Sequence, residues 1–130
     1  MIVVDASAIV ELLLATSVGA AVEARLFDRH EAIHAPHLLD LEVASVFRRL
    51  VRQRIVSTDA AQTAIDDLPK IGIIRYSHDF LLPRIWELRH NLTVYDAAYV
   101  SLAELLEAPL ITCDARLAKA AGPGARIETF

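Results

Sequence analysis

Three features of this chain predict a three-layer α/β/α fold around a central, mostly parallel sheet of four to five strands. Short apolar runs alternate with helical stretches, an order that implies βαβ crossovers. Hydrophobic residues make up 55% of the sequence and mean hydropathy is +0.39, which excludes a disordered chain and suits strands buried on both faces. At 130 residues, with no repeat, linker or low-complexity segment, the chain is long enough for one cored domain and too short for two, so residues 1–130 are read as a single domain.

The elements follow in order. Met1 to Val4 form a β-branched run that stops at Asp5, and Ala6 to Leu14 read as a turn and short helix. Val18, Ala21, Val22, Arg25, Leu26 and Arg29 have helical spacing, and Ile33 to Pro36 make a second strand, with Pro36 suited to the start of the next helix. From His37 to Ile55 the pattern is helical, with Leu39, Val43, Val46, Phe47 and Leu50 on one stripe.

A helix capped by Thr58 should run to Leu68, before Pro69. Ile71 to Arg75 are a third strand and Pro83 to Arg89 another helix. Thr93 followed three residues later by Asp96 resembles a capping box for a helix over Tyr95 to Glu107, which Pro109 should end. Leu110 to Cys113 form the fourth strand, Ala115 to Ala121 a short helix closed by Gly122, and Arg126 to Thr129 a last strand.

Composition narrows the function classes. The apolar stretch from Leu12 to Val22 lies between Glu11 and Glu23 and falls short of the ~18 residues of a membrane span. No basic residue precedes Arg25, as a secretory signal would want, so a cytoplasmic location without a membrane partner is the expectation. The lone Cys113 has no partner for a disulfide or thiolate cluster and reads as a small buried residue. A net charge of −4 argues against nonspecific coating of nucleic acid, but not against a nuclease whose metal-binding carboxylates lower the charge.

In open parallel sheets, ligands bind beyond the carboxyl ends of the strands, and Asp5 and Asp114 fall there by sequence alone. Taken singly, Asp5 suits a turn or cap, Asp114 an N-cap, and Asp96 the positive end of its own helix. Glu42 is harder to dismiss, because at 100° per residue it lies roughly 90° from the centre of the apolar stripe, at the edge of the buried face. Together the four match the need of metal-assisted phosphodiester hydrolysis for hard oxygen ligands.

Four segments then carry a resemblance: Ile2-Val3-Val4-Asp5-Ala6-Ser7-Ala8, Pro36 to Arg49 with Glu42, Leu92-Thr93-Val94-Tyr95-Asp96-Ala97-Ala98-Tyr99, and Leu110-Ile111-Thr112-Cys113-Asp114. In order and over essentially the whole chain they resemble a PIN domain and, more narrowly, the VapC toxins of type II toxin-antitoxin modules. The resemblance implies a PIN-like fold and an endoribonuclease in which Asp5, Glu42, Asp96 and Asp114 hold Mg²⁺, or Mn²⁺, against RNA. It also implies Ser7 and Thr112 as supporting groups near the metal or its water, a VapB-type antitoxin as inhibitor, and a homodimer. As bland alternatives, Ser7 suits a helix cap and Thr112 an ordinary strand position.

Other residues carry weaker signals. Arg48, Arg49, Arg52 and Arg54 crowd one helix, as a phosphate-binding or acid-binding face or as a solvated one. The five histidines show no ligand spacing. Tyr95, Tyr99, Trp86 and Phe80 suit base stacking, with burial in the core the commoner fate of helical aromatics. Leu38 and Leu41 fall off the main stripe and suit either a partner or plain exposure.

Three readings stand beside the toxin: a PIN nuclease of RNA processing, a non-catalytic domain of the same fold, and a Mg²⁺-binding receiver-like domain. The last needs a lysine at a late strand end, and neither Lys70 nor Lys119 follows an apolar strand run.

Overall fold

The computed structural model describes residues 1–130 and contains five strands, β1 (Ile2–Val4), β2 (Ile33–Pro36), β3 (Ile74–Tyr76), β4 (Leu110–Thr112) and β5 (Ile127–Thr129). All pair in parallel in the order β3-β2-β1-β4-β5. The strands are only three or four residues long, and β1, β2 and β4 are buried throughout, as expected of central strands covered on both faces.

Seven helices cover the sheet: α1 (Ala6–Leu13), α2 (Ser17–Phe27), α3 (Leu38–Arg52), α4 (Thr58–Asp67), α5 (Leu82–Glu87), α6 (Val94–Leu105) and α7 (Ala115–Ala120). Connections run from β1 through β2 to β3 in one direction, then return to β4 and continue to β5. With right-handed crossovers this puts α1 to α4 on one face and α5 to α7 on the other. The packing agrees: α1 touches α2 and α3, α3 touches α4, and α5 packs on α6. One core runs through the layers, with Ile2, Val3, Val4, Leu110 and Ile111 of the sheet fully buried beside Leu39 and Phe47 of α3 and Tyr99 and Leu102 of α6.

The order of strand addition reverses between β1 and β4, so a crevice opens there, beyond the carboxyl ends of those two parallel strands. Parallel register sets Val4 against Ile111, and the Asp5 amide donates to the Ile111 carbonyl at 3.1 Å. Asp5 and Asp114 therefore start their helices side by side at this switch point.

Several boundaries differ from the sequence reading. Ser57, not Thr58, caps α4, because its backbone is extended and its hydroxyl accepts from the Ala60 amide at 3.1 Å. Pro36 ends β2 rather than starting a helix, and residues 71–73 precede β3 instead of belonging to it. Helix α6 stops at Leu105, with Glu107 at φ +49, so the left-handed residue ends it before Pro109 is reached. Gly122 does close α7, at φ +71. No single helix is long and apolar enough to cross a membrane.

Candidate active site

Asp5, Glu42, Asp96 and Asp114 line one cleft of about 790 Å³ at the switch point. Each comes from a different stretch of chain: Asp5 follows β1 and caps α1, Glu42 lies in the second turn of α3, Asp96 in the first turn of α6, and Asp114 follows β4 and caps α7. Asp5 and Asp114 therefore cap their helices and line the cleft at once. Asp5 accepts from the Ala8 amide at 3.1 Å, and Asp114 accepts from the Arg116 amide at 2.8 Å.

Asp5 is held from both sides. Its Oδ1 takes the Ser7 hydroxyl at 2.7 Å and its Oδ2 takes the Thr112 hydroxyl at 2.7 Å. Ser7 Oγ in turn accepts from the Cys113 amide at 2.8 Å, and Thr112 Oγ1 accepts from the Asp114 amide at 2.9 Å. The two hydroxyls therefore tie the ends of β1 and β4 together and orient Asp5. With Oδ1 already taking two donors, the remaining lone pair is on Oδ2, which leaves Asp5 one position to offer a cation.

The electrostatics of the four differ. Burial raises the Asp5 pKa, partly offset by the hydroxyl and amide donors, and the Asp114 charge adds to the rise. Burial pushes Glu42 up to about 7, against a hydrogen bond from the Tyr99 hydroxyl at 3.1 Å and with help from the Asp96 and Asp5 charges. Asp96 is raised by burial, opposed by Thr93, and pushed further by Asp114. Asp114 feels burial too, but hydrogen bonds from the Arg116 side chain and from the Arg116 and Leu117 amides outweigh it and hold its pKa below the usual range.

The donor set is all oxygen, suited to a hard divalent cation, and the raised pKa values of Asp5, Glu42 and Asp96 mean that positive charge would be welcome. No group of three acidic, His or Cys side chains is gathered tightly enough to form a coordination shell by itself. A cation here would keep several waters, as Mg²⁺ characteristically does. The residues fit such an ion.

Other features of the site were not legible beforehand. Tyr99 is core, as helical aromatics usually are, yet its hydroxyl serves Glu42. Tyr95, Trp86 and Phe80 are exposed instead of buried, with Arg89 stacked over Trp86 at 4.7 Å. Arg116 lies on the cleft wall beside Asp114, at 3.2 Å, a position hinted at only by its place two residues after that acid. Cys113 is half-buried, not fully buried, because it lies just past β4, and burial with the nearby Asp5 and Glu11 charges pushes its thiol up to about 11. No lysine lines the cleft.

A crevice of acids at the switch point of a small parallel α/β/α domain defines a class of proteins that bind a hard divalent cation there, and comparison with known proteins bears on which. The PIN domain family model matches residues 2–123. Ribonuclease VapC12 of Mycobacterium tuberculosis is 44% identical over 128 residues, 98% of each chain, and ribonuclease VapC1 of the same organism is 45% identical over 121 residues, 92% of this chain and 90% of that one. The crystal structure of VapBC2 from Rickettsia felis bound to a DNA fragment from their promoter shares the fold at a TM-score of 0.72 and 14% identity, covering 99% of this chain and 98% of the other. The chain therefore belongs to the PIN domain family and, within it, to the VapC ribonucleases.

Proposed function

We propose that this VapC ribonuclease hydrolyses RNA phosphodiester bonds at the cleft formed by Asp5, Glu42, Asp96 and Asp114, with Mg²⁺ as the working ion and Mn²⁺ as a substitute. The carrying observation is that four carboxylates from four separate elements line one crevice at the topological switch point. A bound divalent ion supplies a water of lowered pKa and neutralises charge on the attacked phosphate. The protein's own part is positional. Ser7 and Thr112 fix Asp5, and Tyr99 fixes Glu42. Asp96, half-buried and raised in pKa, suits the task of orienting or accepting a proton from the attacking water.

The chain is read over 1–130 as one PIN unit, acting in the cytoplasm as the toxin of a type II module. VapC relatives at over 40% identity and the VapBC2 likeness support a VapB-type antitoxin as its inhibitor, and the homodimer belongs to the same reading. Purified protein freed of any inhibitor and given labelled RNA tests it. Cleavage in Mg²⁺ that stops with excess chelator is the expected result. Chelator-resistant cleavage, or none from the free wild type, would contradict it.

A further inference from the structure

The acids occupy only part of the cleft. Beyond Glu42 its wall is the rest of α3, where Arg48, Arg49 and Arg52 line the same cavity. Their order along the helix is regular. Arg49 follows Glu42 by seven residues, which is about two turns, roughly 10 Å along the axis and only about 20° around it. Gln53, one turn further, also lines the cleft.

These arginines are unengaged. Arg25, Arg75, Arg84 and Arg116 each pair with a carboxylate, whereas Arg48, Arg49 and Arg52 are exposed and make no ion pair. In a chain of net charge −4, this leaves a local positive row beside the four carboxylates of the cleft. Arg49 and Arg52 in the last turn suit the negative end of the α3 dipole, but that role does not require them to face the cleft.

We infer that Arg49 and Arg52, with Arg48 at the rim, form a track that binds the RNA backbone one to two nucleotides from the scissile phosphate, so that α3 measures the distance between the anchored and the cut phosphate. This rests on the reading of the cleft as the site of RNA hydrolysis. A guanidinium fork matches a phosphate, and a polymer carrying phosphates at regular spacing meets both halves of the wall at once. An acidic protein segment lying along α3 would run its carboxylates into the acid cluster.

The test uses R49Q, R52Q, the double variant and R49K, all at exposed positions, with a short fluorescein-labelled single-stranded RNA. Anisotropy in chelator reads binding between roughly 50 and 200 mM salt. Each Arg→Gln change is expected to weaken binding several-fold and to make the log-affinity against log-salt slope shallower by about 0.7, with R49K restoring the slope. In Mg²⁺ the double variant should show a raised KM with a smaller change in kcat.

Unchanged affinity and slope in the double variant would overturn the track, as would variants that lose binding only to an acidic protein partner. The two readings separate cleanly. Wild type that cleaves while the double variant binds RNA normally keeps the nuclease and removes the track. Arginine-dependent binding without cleavage keeps the track as an RNA-binding row and removes the nuclease.

Discussion

Glu42 shows how much one side chain's surroundings decide. Half-buried beside Asp5 and Asp96, its carboxyl is pushed up by burial and by those charges, from the ordinary 4.5 to about 7. A carboxyl with a raised folded pKa is favoured by folding in its protonated form. Its stabilising contribution is therefore complete below the unfolded value and is lost as pH rises through about 7. E42Q should then raise the melting temperature of metal-free protein at pH above 7 and flatten its decline between pH 5 and 8, while Tyr99 keeps an acceptor. An identical pH profile for variant and wild type would show that Glu42 is not desolvated in this way.

Ser7 and Thr112 both donate their hydroxyls to Asp5 and so support one of the cleft's carboxylates. Thr112 is fully buried, so T112V leaves Asp5 Oδ2 and the Asp114 amide each without a partner. About 1–3 kcal/mol of stability should be lost in urea unfolding, together with cleavage. A stable, active T112V would mean the clamp is dispensable. The clamp could not be read in the sequence, since Asp5 and Thr112 lie 107 residues apart and only the β1–β4 pairing joins them.

At the scale of elements, alternating apolar runs and helical periodicity located all five strands and most helix cores, because burial on both faces leaves a strong signal. What they missed was decided by local backbone. Two neighbouring hydroxyls, Ser57 and Thr58, both suit a cap, and only the extended backbone at Ser57 selects it. Likewise Pro109 looked like the stop for α6, but Glu107 in the left-handed region ends it earlier.

The crossing of α1 and α2 was silent in the sequence, because Gly19 lies in an ordinary helical run. A Cβ there would be 2.1 Å from the Glu11 carbonyl oxygen, so the two helices approach through a glycine. G19A should destabilise by about 1–3 kcal/mol in denaturant, although alanine is the better helix former by roughly 1 kcal/mol. Stabilisation by G19A would show that α1 and α2 do not pack this closely.

Over the whole molecule, the switch point between β1 and β4 brings four distant acids to one cleft. Their sequence positions predicted the gathering, through strand ends for Asp5 and Asp114 and the edge of a helix face for Glu42. Their hydrogen bonds now distinguish them: Asp5 is clamped by three donors, whereas Asp96 is only partly buried and carries less structural duty. D5N is for that reason the riskier substitution, since an amide must place a donor against donors. D96N removes charge from the cleft with little else disturbed.

The most direct test of the central claim is the rate at which D96N cleaves labelled RNA in Mg²⁺, with its metal-free melting temperature measured alongside. A rate reduced by about two orders of magnitude or more, with a melting temperature equal to or slightly above wild type, is the predicted result. Near-wild-type cleavage by folded D96N would contradict the assignment of Asp96, and with it the four acids as a single catalytic site.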